Sequence, residues 1–270
     1  MKEDFEATSA DGTRLFAEKS GTGPPLVLVH GIAGDAARWA PVRAKLAERF
    51  TLFALDRRGR GRSGDGPSYA LAREVDDVTA LVAAAATSTG KDVFLFGHSF
   101  GGLLALEAAA RDTPVSKLLV YEPYAPLTAI GAPSQITESF LAMTGDAEAL
   151  LARFLSDIVQ MSAQDVARLR ASAAWPARVA AAPTIPREMA AVEMHAFDAT
   201  RLAARALPIR FFVGSASPHF LVESTARLHA MLTRSDVVTL DGHGHIAMDV
   251  APQLFVAELC RFFDDANDAR

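Results

Sequence analysis

A serine stands between glycines in Gly97-His98-Ser99-Phe100-Gly101-Gly102, directly after the apolar run Val93-Phe94-Leu95-Phe96 and directly before Leu103-Leu104-Ala105-Leu106-Glu107-Ala108-Ala109-Ala110. That order reads as a strand, a sharp turn and a helix, with a hydroxyl at the apex. A side chain on so tight a turn sits in a strained backbone region, and the positions two before and two after it must be small to avoid clashes. Gly97 and Gly101 meet that condition. The helix that begins after Ser99 aims its free N–H groups and positive dipole end at the place where an oxyanion would form. Ser99 is therefore a candidate nucleophile, and because a free hydroxyl attacks poorly near neutral pH it needs a base within hydrogen-bond reach.

The elements that must position this serine alternate along the chain. Strand-like runs fall at Leu26–Val29, Thr51–Leu55, Val93–Phe96, Lys117–Tyr121, Ile209–Val213 and Asp236–Leu240. Amphipathic stretches lie between them at Ala37–Arg49, Ala70–Thr87, Gly102–Arg111, Ser224–Leu232 and Pro252–Asp265. Such alternation predicts a mostly parallel sheet with helices on both faces. An earlier pair, Phe5–Ser9 and Thr13–Lys19 joined by Asp11-Gly12, reads as an antiparallel hairpin and brings the sheet to about eight strands. The interval 126–207 breaks the pattern, with helical periodicity at Ser134–Thr144, Ala147–Met161 and Gln164–Ala174 punctuated by Pro176, Pro183 and Pro186. It is expected to be a helical cap inserted over the carboxyl ends of the strands, with 1–125 and 208–270 forming the core.

Composition excludes several function classes. With 50% hydrophobic and 22% charged residues in 270, the chain suits one soluble α/β domain with a sizeable core. A net charge of −5 gives no basic footprint for nucleic acid. The locally basic run Arg57-Arg58-Gly59-Arg60-Gly61-Arg62 follows Asp56 in a turn-rich segment, and is expected to be scaffold carrying solvated arginines. No apolar stretch reaches the roughly 18 residues of a membrane span, and the charged start Lys2-Glu3-Asp4-Phe5-Glu6 has no signal-like apolar region after it. A cytoplasmic protein without a membrane partner is the expectation. One cysteine, Cys260, rules out an internal disulfide and a thiolate cluster. His195, His219 and His229 have no partner spacing for a metal site, so neither metal nor cofactor is expected.

Four motifs stand in order: His30-Gly31 after the first buried strand, Asp56-Arg57-Arg58-Gly59-Arg60-Gly61-Arg62-Ser63 after the next, the Ser99 turn, and Gly242-His243-Gly244-His245 after the last strand. In these the chain resembles the α/β-hydrolase fold family over nearly its whole length. The resemblance implies that the base is His245, at the end of a Gly-x-Gly-His loop, rather than His243. It implies that Ile32 and Phe100 supply the backbone N–H groups of an oxyanion hole, that His30 is structural, and that Asp56 caps its own turn. His98 should point away from Ser99 and pack, and Asp249 is placed to cap the last helix. Relatives that open epoxides or remove halides carry aspartate where this chain has Ser99, which disfavours those reactions.

The third member of the triad departs from the family pattern. Relatives commonly place an acid in Gly-x-x-Asp after the strand that follows the cap, but Val213-Gly214-Ser215-Ala216-Ser217-Pro218-His219 holds no carboxylate. A histidine without an orienting acid spends time in the wrong tautomer and cannot stabilise its imidazolium. Glu122 ends the strand beside the nucleophile's own and is the expected substitute. The same combination resembles the zearalenone-hydrolysing lactonases. Together these readings predict a cofactor-free serine esterase or lactonase acting on a small apolar or aromatic ester or lactone. A C–C bond hydrolase, lyase or perhydrolase is the alternative on the same frame, and a non-catalytic receptor is the alternative outside it. Among the apolar residues of the cap, Trp175 before Pro176 is the expected pocket wall.

Overall fold

A computed structural model describes residues 2–264. Eight strands, β1 (Lys2–Thr8), β2 (Arg14–Ser20), β3 (Pro25–Val29), β4 (Thr51–Asp56), β5 (Val93–His98), β6 (Val115–Tyr121), β7 (Ile209–Gly214) and β8 (Ser235–Leu240), form one sheet in the order β1-β2-β4-β3-β5-β6-β7-β8. The β1–β2 and β2–β4 pairs are antiparallel, and every later pair is parallel. The central strand β3 is buried at all five positions, Pro25-Leu26-Val27-Leu28-Val29, as a strand covered on both faces must be.

Alternation along the strands splits the core in two. Val27, Val29, Leu95, Val120 and Phe211 face one side, and Leu26, Leu28, Phe96, Leu119 and Phe212 the other. The helices in chain order are α1 (Ala40–Leu46), α2 (Leu71–Thr89), α3 (Phe100–Ala109), α4 (Gln135–Leu141), α5 (Ala147–Arg153), α6 (Ala163–Arg170), α7 (Trp175–Ala181), α8 (Ile185–Glu193), α9 (Ala199–Ala203), α10 (His219–Met231), α11 (Ala247–Val250) and α12 (Pro252–Asp264). Residues of α2, α3, α9 and α10 cover the first face, and residues of α1, α11 and α12 the second. Asp265, expected as the end of the last helix, lies outside the described residues. Among them, no helix is long and apolar enough to cross a membrane.

Between β6 and β7, α4 through α9 fill the interval expected to be a cap. Phe140, Leu151, Phe154, Trp175, Ile185 and Met189 make an apolar cluster there, with Ala33 from the core side packed into it. The prolines that seem to interrupt this stretch in sequence open helices instead: Pro176 and Pro186 sit in the first turn of α7 and α8. A first-turn N–H has no partner within the helix, so proline costs nothing there and its fixed φ favours the start.

Candidate active site

Ser99 sits at the end of β5 with φ +56° and ψ −124°, a conformation L residues rarely adopt. Its N–H donates to the Tyr121 carbonyl at 2.9 Å, so the turn is anchored on the neighbouring strand. A Cβ on Gly97 would overlap the Gly101 carbonyl oxygen, and one on Gly101 would overlap the Val29 and His30 carbonyls. Those close approaches let α3 start immediately after the serine. The loop after β3 comes equally near, for a Cβ on Gly31 would lie 2.9 Å from Ser99 Cβ.

One residue past Tyr121, Glu122 has φ +46°, is fully buried, and donates its N–H to Phe212 O at 3.1 Å. Its Oε2 lies 2.5 Å from His245 Nδ1. Its Oε1 accepts from the Gly214 N–H at 2.6 Å and from the Ser217 hydroxyl. The Gly214-Ser215-Ala216-Ser217 segment, which lacks the usual carboxylate, thus presents donors to a carboxylate arriving from β6. A buried carboxylate with three such partners is fixed in place.

The loop carrying His245 is tied down from three sides. Ala216 N–H donates to the His243 carbonyl at 3.0 Å, and the Gly242 N–H to Ser215 Oγ at 2.8 Å. A Cβ on Gly214 would collide with the same His243 carbonyl. The Tyr121 hydroxyl donates to the Gly244 carbonyl and accepts from the Ala247 N–H. His98 Nε2 donates to the His245 carbonyl at 2.9 Å, with the two rings 4.5 Å apart. Burial, then the charges of His245 and Arg38, pull His98 well below the usual histidine range, so it is a neutral donor. Burial, helped by Glu122, pushes the Tyr121 phenol up and keeps it protonated.

Ser99, His245, Ile32 and Phe100 line one cavity of about 300 Å³, and His243 is not among the residues lining it. The structure thus brings Ser99, His245 and Glu122 together. It does not bring Trp175 to them. Trp175 was expected to be a pocket wall, but it is buried in the apolar cluster of the helices between β6 and β7, under the Arg170 guanidinium at 5.3 Å from its ring. Phe154 and Met189 of that cluster line the cavity in its place.

The arginine run also differs from expectation. Arg57, Arg58 and Arg60 are buried rather than solvated, and only Arg62 lies outside, paired with Asp4. Arg57 forms a two-bond pair with Glu74 at 2.8 and 2.6 Å and reaches Glu188 of α8 at 3.1 Å. Arg58 does the same with Asp77 at 2.6 and 2.7 Å, and Arg60 pairs with Glu188. A signal was present: Glu74 and Asp77 share the face of α2 that carries Leu71, Val78 and Leu81, and carboxylates on a buried face demand buried cations. Asp249 differs too, since it pairs with Arg38 at 2.7 Å instead of capping the last helix. Asp56 accepts from the Ala36 and Arg62 N–H groups at 2.7 and 2.9 Å, the turn role its motif implies.

A strained serine turn on the fifth strand of such a sheet, with a histidine loop and a buried carboxylate converging on it, defines an α/β hydrolase. The chain belongs to the Alpha/beta hydrolase family, whose profile matches residues 26–258. An alpha/beta hydrolase from Sphaerobacter thermophilus is 33% identical, with a TM-score of 0.77 over 96% of this chain and 100% of that one. The 2-(acetamidomethylene)succinate hydrolase of Mesorhizobium japonicum is 25% identical over 93% of this chain and 91% of its own length. N-formylmaleamate deformylase of Pseudomonas putida is 37% identical over 118 residues, 43% of either chain.

Proposed function

We propose that the protein is a serine hydrolase that cleaves a carboxylic ester or lactone through an acyl-enzyme on Ser99. One observation carries the reading: Glu122 Oε2 at 2.5 Å from His245 Nδ1. An ionised carboxylate only accepts, so it holds the proton on Nδ1 and leaves Nε2 as the basic nitrogen available to Ser99 in the shared cavity. His245 takes the hydroxyl proton as Ser99 attacks the carbonyl carbon. The developing oxyanion is received by the N–H groups of Phe100 and Ile32, and His245 then returns the proton to the leaving oxygen. Water enters by the same steps in reverse and releases the acid. This chemistry calls for no cofactor.

The walls Phe154, Ile158, Met189, Val192, Phe220 and Leu221 support an apolar or aromatic portion of the substrate in the larger cavity. The same attack would open an acyl C–N bond. That second reading is favoured by the two curated relatives, one named as a deformylase and one as a hydrolase of an acetamido compound. The test is a 4-nitrophenyl ester and amide panel with intact-mass detection of the acyl-enzyme. A product burst with acyl mass on Ser99, absent in Ser99→Ala, is expected; turnover by Ser99→Ala above a few per cent would refute the covalent route, since losing a triad nucleophile costs on the order of 10⁶.

A further inference from the structure

A second, smaller cavity shares the same serine and histidine in its wall. It measures about 50 Å³, and Ser99, His245, His98, Arg38, Asp249 and Arg178 are among its walls. Arg178 comes from α7; the residue is half-buried with its Nε buried, and its partners differ from those of the buried arginines. Arg38 gives Nη1 to Asp249 at 2.7 Å, while Arg57, Arg58 and Arg60 each have a carboxylate partner. Arg178 makes one long bond, Nη1 to the Ala33 carbonyl at 3.4 Å, and its buried Nε has no hydrogen-bond partner. No carboxylate lies within ion-pair distance of it among the described residues. Burial, then repulsion from Arg38, lowers it to about 10, which still leaves it charged at neutral pH.

A guanidinium whose buried Nε lacks an acceptor is costly unless something arrives to accept its hydrogen bond. The titratable groups of the small cavity are Arg38, Arg178, Asp249, His98 and His245. Among its fixed charges Arg38 and Arg178 stand against Asp249, while Asp35, outside the wall, also acts on Arg178. The larger cavity has the opposite character, because Asp157 and Glu193 stand in its wall. A water needs at least about 10–15 Å³ of such space, so 50 Å³ has room for the three heavy atoms of a carboxylate. Planar bidentate acceptance is what a guanidinium edge with a free Nε matches best.

We propose that the small cavity is a carboxylate subsite in which Arg178 binds a free carboxylate of the substrate, so that the natural substrate is anionic near its scissile carbonyl and apolar beyond it. This rests on the hydrolase reading for where the carbonyl sits, and on the arginine and its cavity for the charge. Arg178 is then a specificity-determining residue that selects hemi-esters, or carboxylated lactones and amides, over neutral ones.

The experiment compares kcat/KM for the mono-4-nitrophenyl esters of succinate and glutarate with their neutral methyl-capped counterparts. The expected result is a preference of the wild-type protein for the better-fitting anionic ester by about 10- to 100-fold, the range of a hydrogen bond to a charged group. Arg178→Met keeps the apolar stem and should bring that ratio to near one, while Arg178→Lys should keep part of it. A wild-type ratio at or below one, or a ratio unchanged in Arg178→Met, overturns the subsite. A binding measurement separates this from failure of the hydrolase reading. Calorimetric titration of succinate and glutarate into Ser99→Ala should show binding that weakens at least 10-fold when Arg178→Met or Arg178→Gln is added. Equal binding, or none at millimolar concentration, overturns the proposal whether or not any ester is turned over.

Discussion

Replacing Glu122 by glutamine tests the least usual part of the site. The carboxylate is surrounded by donors only: Nδ1 of His245 on Oε2, and the Gly214 N–H and Ser217 hydroxyl on Oε1. An amide has one oxygen. Turned so that its oxygen serves Gly214 and Ser217, it points NH₂ at Nδ1, which must then accept and pushes the ring proton onto Nε2. That is the tautomer unable to take the Ser99 proton. Turned the other way, NH₂ meets the Gly214 N–H, and the donor pair is left without an acceptor in a buried site. The first arrangement costs less, so Glu122→Gln should fold and be nearly inactive. Amide replacement of a triad acid lowers turnover by about 10⁴, and each decade is about 1.4 kcal/mol, which puts about 5 kcal/mol of transition-state stabilisation on this one contact. Single-turnover release of 4-nitrophenol, with far-UV circular dichroism to verify folding, is the assay. A folded Glu122→Gln protein with turnover within 10-fold of wild type would show that His245 needs no orienting charge from β6.

Two further outcomes follow from burial. Trp175→Ala removes a ring from the apolar cluster between β6 and β7 and should cost about 3–5 kcal/mol of stability; esters of short and long acyl groups should lose kcat/KM alike, and a change of acyl preference without a fall in melting temperature would place Trp175 in the pocket after all. His98 and His30 are both held well below the usual value of 6.5 in the folded state, chiefly by burial, so the unfolded chain binds more protons as pH falls through 6.5. Stability present above 6.5 is lost below it, by about 1 kcal/mol per histidine over the first pH unit. Denaturant midpoints at pH 7.5, 6.5 and 5.5 should therefore drop about three times more in the second step than in the first, and a flat profile would show that these rings protonate without cost.

Much of this was legible in the residues, because backbone geometry leaves a narrow trace. A serine flanked by glycines at the end of an apolar run admits few conformations, and the alternation of runs along the chain gives the sheet. Glu122 could be found because a gap at Gly214-Ser215-Ala216-Ser217 demanded a carboxylate from elsewhere and the neighbouring strand ended in one. What was not legible depended on packing between segments far apart in sequence. Nothing local tells that Trp175 turns into the apolar cluster while Phe154 and Met189 also reach the cavity, since all three sit in similarly apolar stretches. The arginine run misled for the same reason: its partners Glu74, Asp77 and Glu188 come from α2 and α8, and composition around Arg57 says only that the segment is polar. Tyr121 escaped notice because a tyrosine closing a buried strand looks like core, and only the fold reveals that its hydroxyl reaches the Gly244 carbonyl.

The buried charges also bear on the proposed oxyanion hole. Arg57, Glu74, Arg60 and Glu188 balance two positive against two negative groups, with the Tyr69 hydroxyl donating to Glu74 at 3.0 Å. Apolar residues of the same volume would stabilise the fold about as well, so stability alone does not account for them. Position does. Arg57 Nη1 donates to the Gly31 carbonyl at 3.0 Å, and His30 Nδ1 donates to the same oxygen at 2.8 Å, its Nε2 accepting from the Arg57 N–H. The peptide between Gly31 and Ile32 is planar and trans, so fixing its oxygen between two donors fixes the Ile32 N–H to point the opposite way. The Arg57 guanidinium lies 4.5 Å from the Phe100 ring, so it also backs the residue that would supply the second oxyanion donor. Glu188 extends the same lattice into α8, where Met189 forms part of the cavity wall. A donor aimed before the reaction starts needs no reorganisation when charge appears, and on that argument the arginine after β4 would serve the proposed chemistry at Ser99 by holding the Ile32 N–H in place.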